Sequence, residues 1–159
     1  MIVRPAPLTP AAFAPFGDVL EAAGPPDRLI NAGLCGRWHD RARLDIAEGA
    51  AGISLFRAEP RSLPCDVSLV ERHPLGAQAF LPMTVHPFLV IVAPDTNGTP
   101  GTPRAFLTTP GQGVCYHRGT WHGVLTPLHD PGLFAVVDYV GARPNLEEYT
   151  YPAPFTVAP

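Results

Sequence analysis

Residues 71–82 read Glu-Arg-His-Pro-Leu-Gly-Ala-Gln-Ala-Phe-Leu-Pro, and residues 113–122 read Gly-Val-Cys-Tyr-His-Arg-Gly-Thr-Trp-His. Between them the sequence has the pattern of a strand, a Pro/Gly-rich turn and another strand. In a strand, successive side chains point to opposite faces, so Glu71 and His73 share one face with Val67 and Leu69, while Arg72 takes the other. Gln78 opens the next strand, after the turn residues Pro74-Leu75-Gly76. His122 and Val124 share a face of a later strand. With Val67 and Leu69 turned inward, Glu71 and His73 sit where the interior opens.

The rest of the chain agrees with such an array. It has 159 residues, enough for one domain (residues 1–159) with a real core. Pro 21 and Gly 15 would suit disorder, but a hydrophobic content of 46% against 16% charged residues argues for short strands joined by tight turns. Strands are expected at Ile53 to Ala58, Val67 to His73, Gln78 to Leu81, Phe88 to Ala93, Arg104 to Thr108, Val114 to His117, His122 to Leu125 and Phe134 to Val140. Phe134, Val136 and Asp138 fall on one face of the last. Thr9-Pro10-Ala11-Ala12 carries an N-cap and a first-turn proline, and Pro15 and Gly17 keep that helix short. Residues 22–37 are expected to be irregular, and Pro94 to Pro103 a surface loop. The fold class is mostly β with a few short helices: strands at this spacing suggest a sandwich or a single antiparallel barrel of jelly-roll type.

Composition also excludes functions. A net charge of −3 gives no basic face for nucleic acid. The longest apolar run, Phe88 to Ala93, suits a buried strand and is too short to span a bilayer. No charged segment followed by an apolar one opens the chain, so no secretory signal is expected. Cys35, Cys65 and Cys115 have neither metal-like nor redox-like spacing, and their odd number speaks for reduced thiols in the cytoplasm. All 11 cations are arginine. Without lysine, no side chain can form a Schiff base with a carbonyl compound.

The paired stretches resemble the two-part signature of the cupin barrel, in which His-x-His-x4-Glu and a later Gly-x-x-His converge on a metal; here those places hold Glu71, His73, Gln78 and His122. More specifically, the chain resembles the ureidoglycolate lyase family. The resemblance runs through Phe16-Gly17-Asp18-Val19, Asn31-Ala32-Gly33, Trp38-His39-Asp40, Phe56-Arg57-Ala58, the stretch from Glu71 to Phe80, and Tyr116 to His122. It implies a cupin-fold, cytosolic homodimer of allantoin and purine nitrogen breakdown that splits (S)-ureidoglycolate into glyoxylate and urea. The Pro94–Pro103 loop and the tail after Tyr149 look particular to this chain.

That reaction needs a base for a hydroxyl proton, an acid for a departing nitrogen, and a partner for a carboxylate. It needs no redox cofactor. His73, His117 and His122 exchange protons near neutrality. Glu71 serves as a base or orients a histidine, and Gln78 can donate to an oxygen or accept from an N–H. Arg72 and Arg104 are candidates for a carboxylate clamp, with Tyr116 beside them. Asp138 is a supporting candidate behind these. His39, His86 and His129 read as surface histidines. A divalent metal on Glu71, His73, Gln78 and His122 stays open, although glutamine is a poor ligand for transition metals. Two alternatives are therefore a metal-dependent cupin hydrolase or oxygenase and a non-catalytic cupin that binds a small carboxylate.

Overall fold

Turn residues cut the chain into short strands in the computed structural model, which describes residues 1–159. The architecture rests on β1 (Gly17–Leu20), β2 (Ala50–Ala58), β3 (Cys65–Arg72), β4 (Gln78–Pro82), β5 (Phe88–Ala93), β6 (Arg104–Leu107), β7 (Gly113–Tyr116), β8 (Trp121–His122), β9 (Gly132–Val140) and β10 (Glu147–Val157). One antiparallel sheet runs β1-β7-β4-β9-β2. The other runs β10-β3-β8-β5-β6, with Ile2–Val3 parallel to β10 and Ala6–Pro7 parallel to β6. The sheets curl against each other into a mostly-β, cupin-like half-barrel.

Alternation decides which side chains fill it. Phe80, Val114, Tyr116, Phe134 and Val136 from the first sheet meet Phe88, Val90, Val92 and Phe106 from the second. Each such side chain stabilises the fold by roughly 1.5–3 kcal/mol on leaving water. β5 is buried on both faces, because Leu89, Ile91 and Ala93 pack under β10 with Val70, Tyr151 and Val157. That double burial explains its unbroken apolar run.

The expected strands form, except that β8 ends at His122: residues 123–125 lie outside it, and His122 is buried while Val124 is exposed, so the two do not share a face. Of the few short helices expected, one forms: α1 (Pro10–Phe13), where the Thr9 hydroxyl accepts from the Ala12 N–H at 3.3 Å. Elsewhere Pro and Gly recur too often for a helix to nucleate. The stretch 22–37 is less irregular than expected, since Arg28–Ile30 and Cys35–Arg37 pair as a hairpin. Likewise Asp95–Thr96 and Thr99–Pro100 form a small hairpin within the surface loop. The tail after Tyr149 belongs to the second core, where Tyr151 and Val157 are buried.

One expected grouping is corrected. Val67 does not share the interior face with Leu69 and Glu71; it packs with Val70 under β10. The departure coincides with a break in the pairing, which jumps from Thr150↔Leu69 to Phe155↔Val67, so that Tyr151–Pro154 bulge opposite Ser68. Glu71 reaches the interior as the neighbour of Val70, not as the partner of Val67.

Candidate active site

Two sheets deliver the site to one open end of the half-barrel. On one side, β8 pairs His122 directly across from Glu71 of β3, and His73 follows at the end of that strand. On the other, β7 pairs Tyr116 with Gln78 of β4, and the register that pairs Val137 with Ala79 brings Asp138 of β9 opposite Gln78. The turn after His73 must pass tightly. A Cβ on Gly76 would stand 2.9 Å from both the Ile46 Cδ1 and the Tyr139 Cβ, so glycine lets the chain reach β4 here.

Backbone carbonyls orient both imidazoles. His73 Nδ1 pairs with the Asn145 carbonyl at 2.6 Å, and His122 Nδ1 pairs with the Gly123 carbonyl at 3.0 Å. A carbonyl only accepts, so each Nδ1 carries a proton and each neutral ring presents a bare Nε2 lone pair. The rings lie 5.2 Å apart, centroid to centroid, and His122 stacks on Tyr116 at 4.3 Å and 3°. Neither Nε2 has a hydrogen-bond partner, nor does Gln78 Oε1, and all three atoms are buried. Leaving a buried polar atom unpaired costs roughly 1–3 kcal/mol. Such atoms usually find a partner in a folded core, and these three are open to the donors of a ligand.

Charge divides the two histidines. Burial, and then the charge of His73, depress His122 to about 4, so it is neutral at physiological pH. Burial also draws His73 down, but Glu71 and the Asn145 carbonyl more than offset it and raise it above its ordinary value. Glu71 is held below the ordinary carboxylate range by His73, against the opposing effect of its own burial. The Glu71 Oε1 and His73 Nε2 are 3.8 Å apart, an ion-pair separation rather than a hydrogen bond.

Glu71, His73, Gln78 and His122 are thus brought together, with Tyr116 packed beside them. The other candidates lie elsewhere. His117 is half exposed, 3.5 Å from the Asp18 carboxylate. Arg72 turns away, bound to Glu147 at 2.6 Å and Asp95 at 3.1 Å, with its guanidinium over Trp121. Arg104 lies over Phe16 and Phe106 and lines a separate cavity of ≈ 500 Å³ with His117 and Arg118. The cavity that reaches His73 measures ≈ 430 Å³ and is lined also by Asp138, Tyr139, Arg143 and Asn145. Sequence reasoning missed Arg143 and Asn145. Asn145 also accepts from the Leu75 N–H through its side chain, at 2.6 Å. Both residues sit in the β9–β10 connection, and no local pattern pointed there.

The geometry also fits a cation. One ligand atom each from Glu71, His73 and His122 lies within 4.8 Å of the others. Histidines that hold a metal commonly donate their other N–H to a backbone carbonyl, as both do here.

Comparison with known proteins finds relatives along nearly the whole chain. The family model described as ureidoglycolate lyase matches residues 1–158. The chain is similar to the ureidoglycolate lyase of Rhodobacter capsulatus, at 63% identity over 152 residues, covering 95% of this chain and 94% of that protein. It is 52% identical over 153 residues to the Chelativorans enzyme of the same name, covering 95% and 93%. A protein of Rhizobium meliloti named ureidoglycolate lyase 2 is 49% identical over 153 residues, covering 95% and 94%.

Proposed function

Because the chain belongs to the ureidoglycolate lyase family, we propose that it eliminates urea from ureidoglycolate to leave glyoxylate, and that His73, His122, Glu71 and Gln78 carry the reaction. The supporting observation is the pair of buried, unpartnered Nε2 atoms facing one space beside a carboxylate. The substrate carbon bears a hydroxyl, a carboxylate and a ureido nitrogen. As the hydroxyl proton leaves, the C=O forms and the C–N bond breaks. The electron pair goes to nitrogen, which takes up a proton and departs as urea.

The residues divide those tasks by charge. Neutral His122 offers its Nε2 lone pair to the hydroxyl proton. His73, whose hold on a proton Glu71 strengthens, gives a proton from Nε2 to the departing nitrogen. The proton taken by His122 then returns to His73 across the narrow gap between the rings, and the enzyme is restored. Gln78 Oε1 accepts from a ureido N–H. Arg143 lines the His73 cavity and takes over the carboxylate role first assigned to Arg72 and Arg104. In the free protein it rests on Glu48 at 3.0 Å, an exposed ion pair that is easily exchanged.

A second reading is favoured by the same convergence: Glu71, His73 and His122, with Gln78 beside them, hold a divalent cation. Such an ion would supply Lewis acidity toward a substrate oxygen. Replacing His73 or His122 by Ala separates the accounts when activity, metal content and melting temperature are read on the same proteins. Proton transfer by the imidazoles predicts a ~10²–10⁴-fold loss of turnover without dependence on metal. The metal reading predicts activity that tracks ion content. Normal turnover in both variants would remove the site.

Two broader features belong to this proposal. The chain acts as a homodimer, supported by Ile53 (77% exposed) and Leu55 (68% exposed) on the outer face of the edge strand β2. It works in the cytoplasm, supported by three free cysteines, two of them buried. No helix is long and apolar enough to cross a membrane.

A further inference from the structure

Gln78 is 5% exposed, and its only side-chain hydrogen bond is from Nε2 to Asp138 Oδ2, at 3.1 Å. An ionised carboxylate can only accept. Turning the amide over would set two oxygens against each other in a buried place, so Asp138 dictates the flip. The Gln78 oxygen must then face the cluster, where it is buried and unpartnered. We infer that Asp138 is a positioning residue that locks the Gln78 carbonyl oxygen toward His73 and His122, making Gln78 the group that selects a leaving group bearing N–H donors.

This deepens the proposed function and rests on it. With Gln78 so fixed, the cluster offers the substrate acceptors: Gln78 Oε1, His122 Nε2 and the Glu71 carboxylate. A ureido group, –NH–CO–NH₂, matches that lining. A leaving group without N–H leaves Gln78 Oε1 unpaired, as it is in the free protein. Asp138 is placed for this by register alone, opposite Gln78 and at the wall of the His73 cavity. Gln78 touches the substrate in this account; Asp138 acts only through it.

The test is a double-mutant cycle on kcat/KM for ureidoglycolate, using Asp138→Leu, Gln78→Leu and the pair together. Asp138→Leu should lower kcat/KM by ~10–100-fold, the usual effect of losing a partner that orients a site residue. In the Gln78→Leu background the same change should add nothing further. A full second loss in that background, or no loss from Asp138→Leu alone, overturns the inference. Should Asp138→Leu fail to fold, a swap decides instead. Gln78→Glu sets two carboxylates together and should be impaired; adding Asp138→Asn restores a donor between them and should recover kcat/KM. Failure of that rescue in a folded protein overturns the inference. One readout is independent of the reaction: the Gln78 side-chain amide protons should exchange slowly with solvent in the wild-type chain. If they do, and ureidoglycolate is nevertheless not turned over, the proposed function fails while the locked amide stands. If they exchange as a free amide, the lock itself is refuted.

Discussion

Replacing His122 by Phe should abolish turnover while leaving the fold as stable as before. His122 is 1% exposed and stacked on Tyr116, and a phenyl ring keeps that stack. Two polar terms change. The Nδ1 bond is lost and the buried Gly123 carbonyl is left without a donor, at about 1–3 kcal/mol. The unpartnered Nε2 is also removed, which returns roughly 1–3 kcal/mol of desolvation. The two offset, and the balance runs from about −2 to about +2 kcal/mol. For a chain of this size 1 kcal/mol moves Tm by roughly 2–4 °C, so the expected melt lies within about 8 °C of wild type in either direction. Turnover should drop by ~10²–10⁴-fold, because the imidazole assigned to take the hydroxyl proton is gone. Thermal unfolding followed by circular dichroism and a glyoxylate assay on the same sample provide both numbers. A Tm lowered by about 10 °C or more, with the folded fraction still active, would show that His122 is a structural core residue and refute the reasoning.

Acid should destabilise the wild-type chain through His122. Its value is depressed to about 4 in the folded state, so the unfolded chain binds the extra proton. That contribution is complete above the unfolded value near 6.5 and is lost as pH falls toward 4. His73, raised by Glu71, has the opposite sign: its contribution is present below 6.5 and fades as pH rises through its folded value. Denaturant titrations across this range should show a shallower acid decline in His122→Phe than in the wild type; identical declines would contradict the assignment. Gly17→Ala should be poorly folded, because a Cβ there would lie 2.1 Å from the Cys115 carbonyl within the β1–β7 pairing; a melt within about 1 kcal/mol of wild type would refute this. Light scattering should report twice 17.0 kDa, and Leu55→Glu should shift it toward the monomer; an unchanged dimer in that variant would move the interface elsewhere. Borohydride with glyoxylate should trap no internal adduct, since the chain has no lysine, and a labelled internal peptide in the mass spectrum would disprove it.

Alternation and turn residues made the strands legible, along with the placement of four residues of the proposed site. Glu71, His73, Gln78 and His122 lie on regular strands or one residue beyond them, where period 2 fixes direction. Asp138 was legible as an inward residue for the same reason, sharing its face with Phe134 and Val136. Val67 departs from its expected face where the pairing with β10 is broken, and the residues that break it lie some eighty positions away in sequence. His117 fell away from the cluster because the Gly119 turn separates β7 from β8, and its hydrogen bond from Gly119 N to the His73 carbonyl is invisible to local pattern. Arg72 followed its predicted face, but that face leads to Glu147 and Trp121 rather than to substrate. Asn145 escaped notice because it holds His73 with a backbone carbonyl, a group every residue has.

The central claim is elimination of urea by this site, and a product assay on ureidoglycolate tests it most directly. With purified chain, with and without a chelator, glyoxylate and urea should appear in equal amounts. Ammonia in place of urea, or no glyoxylate in either condition, would contradict the account.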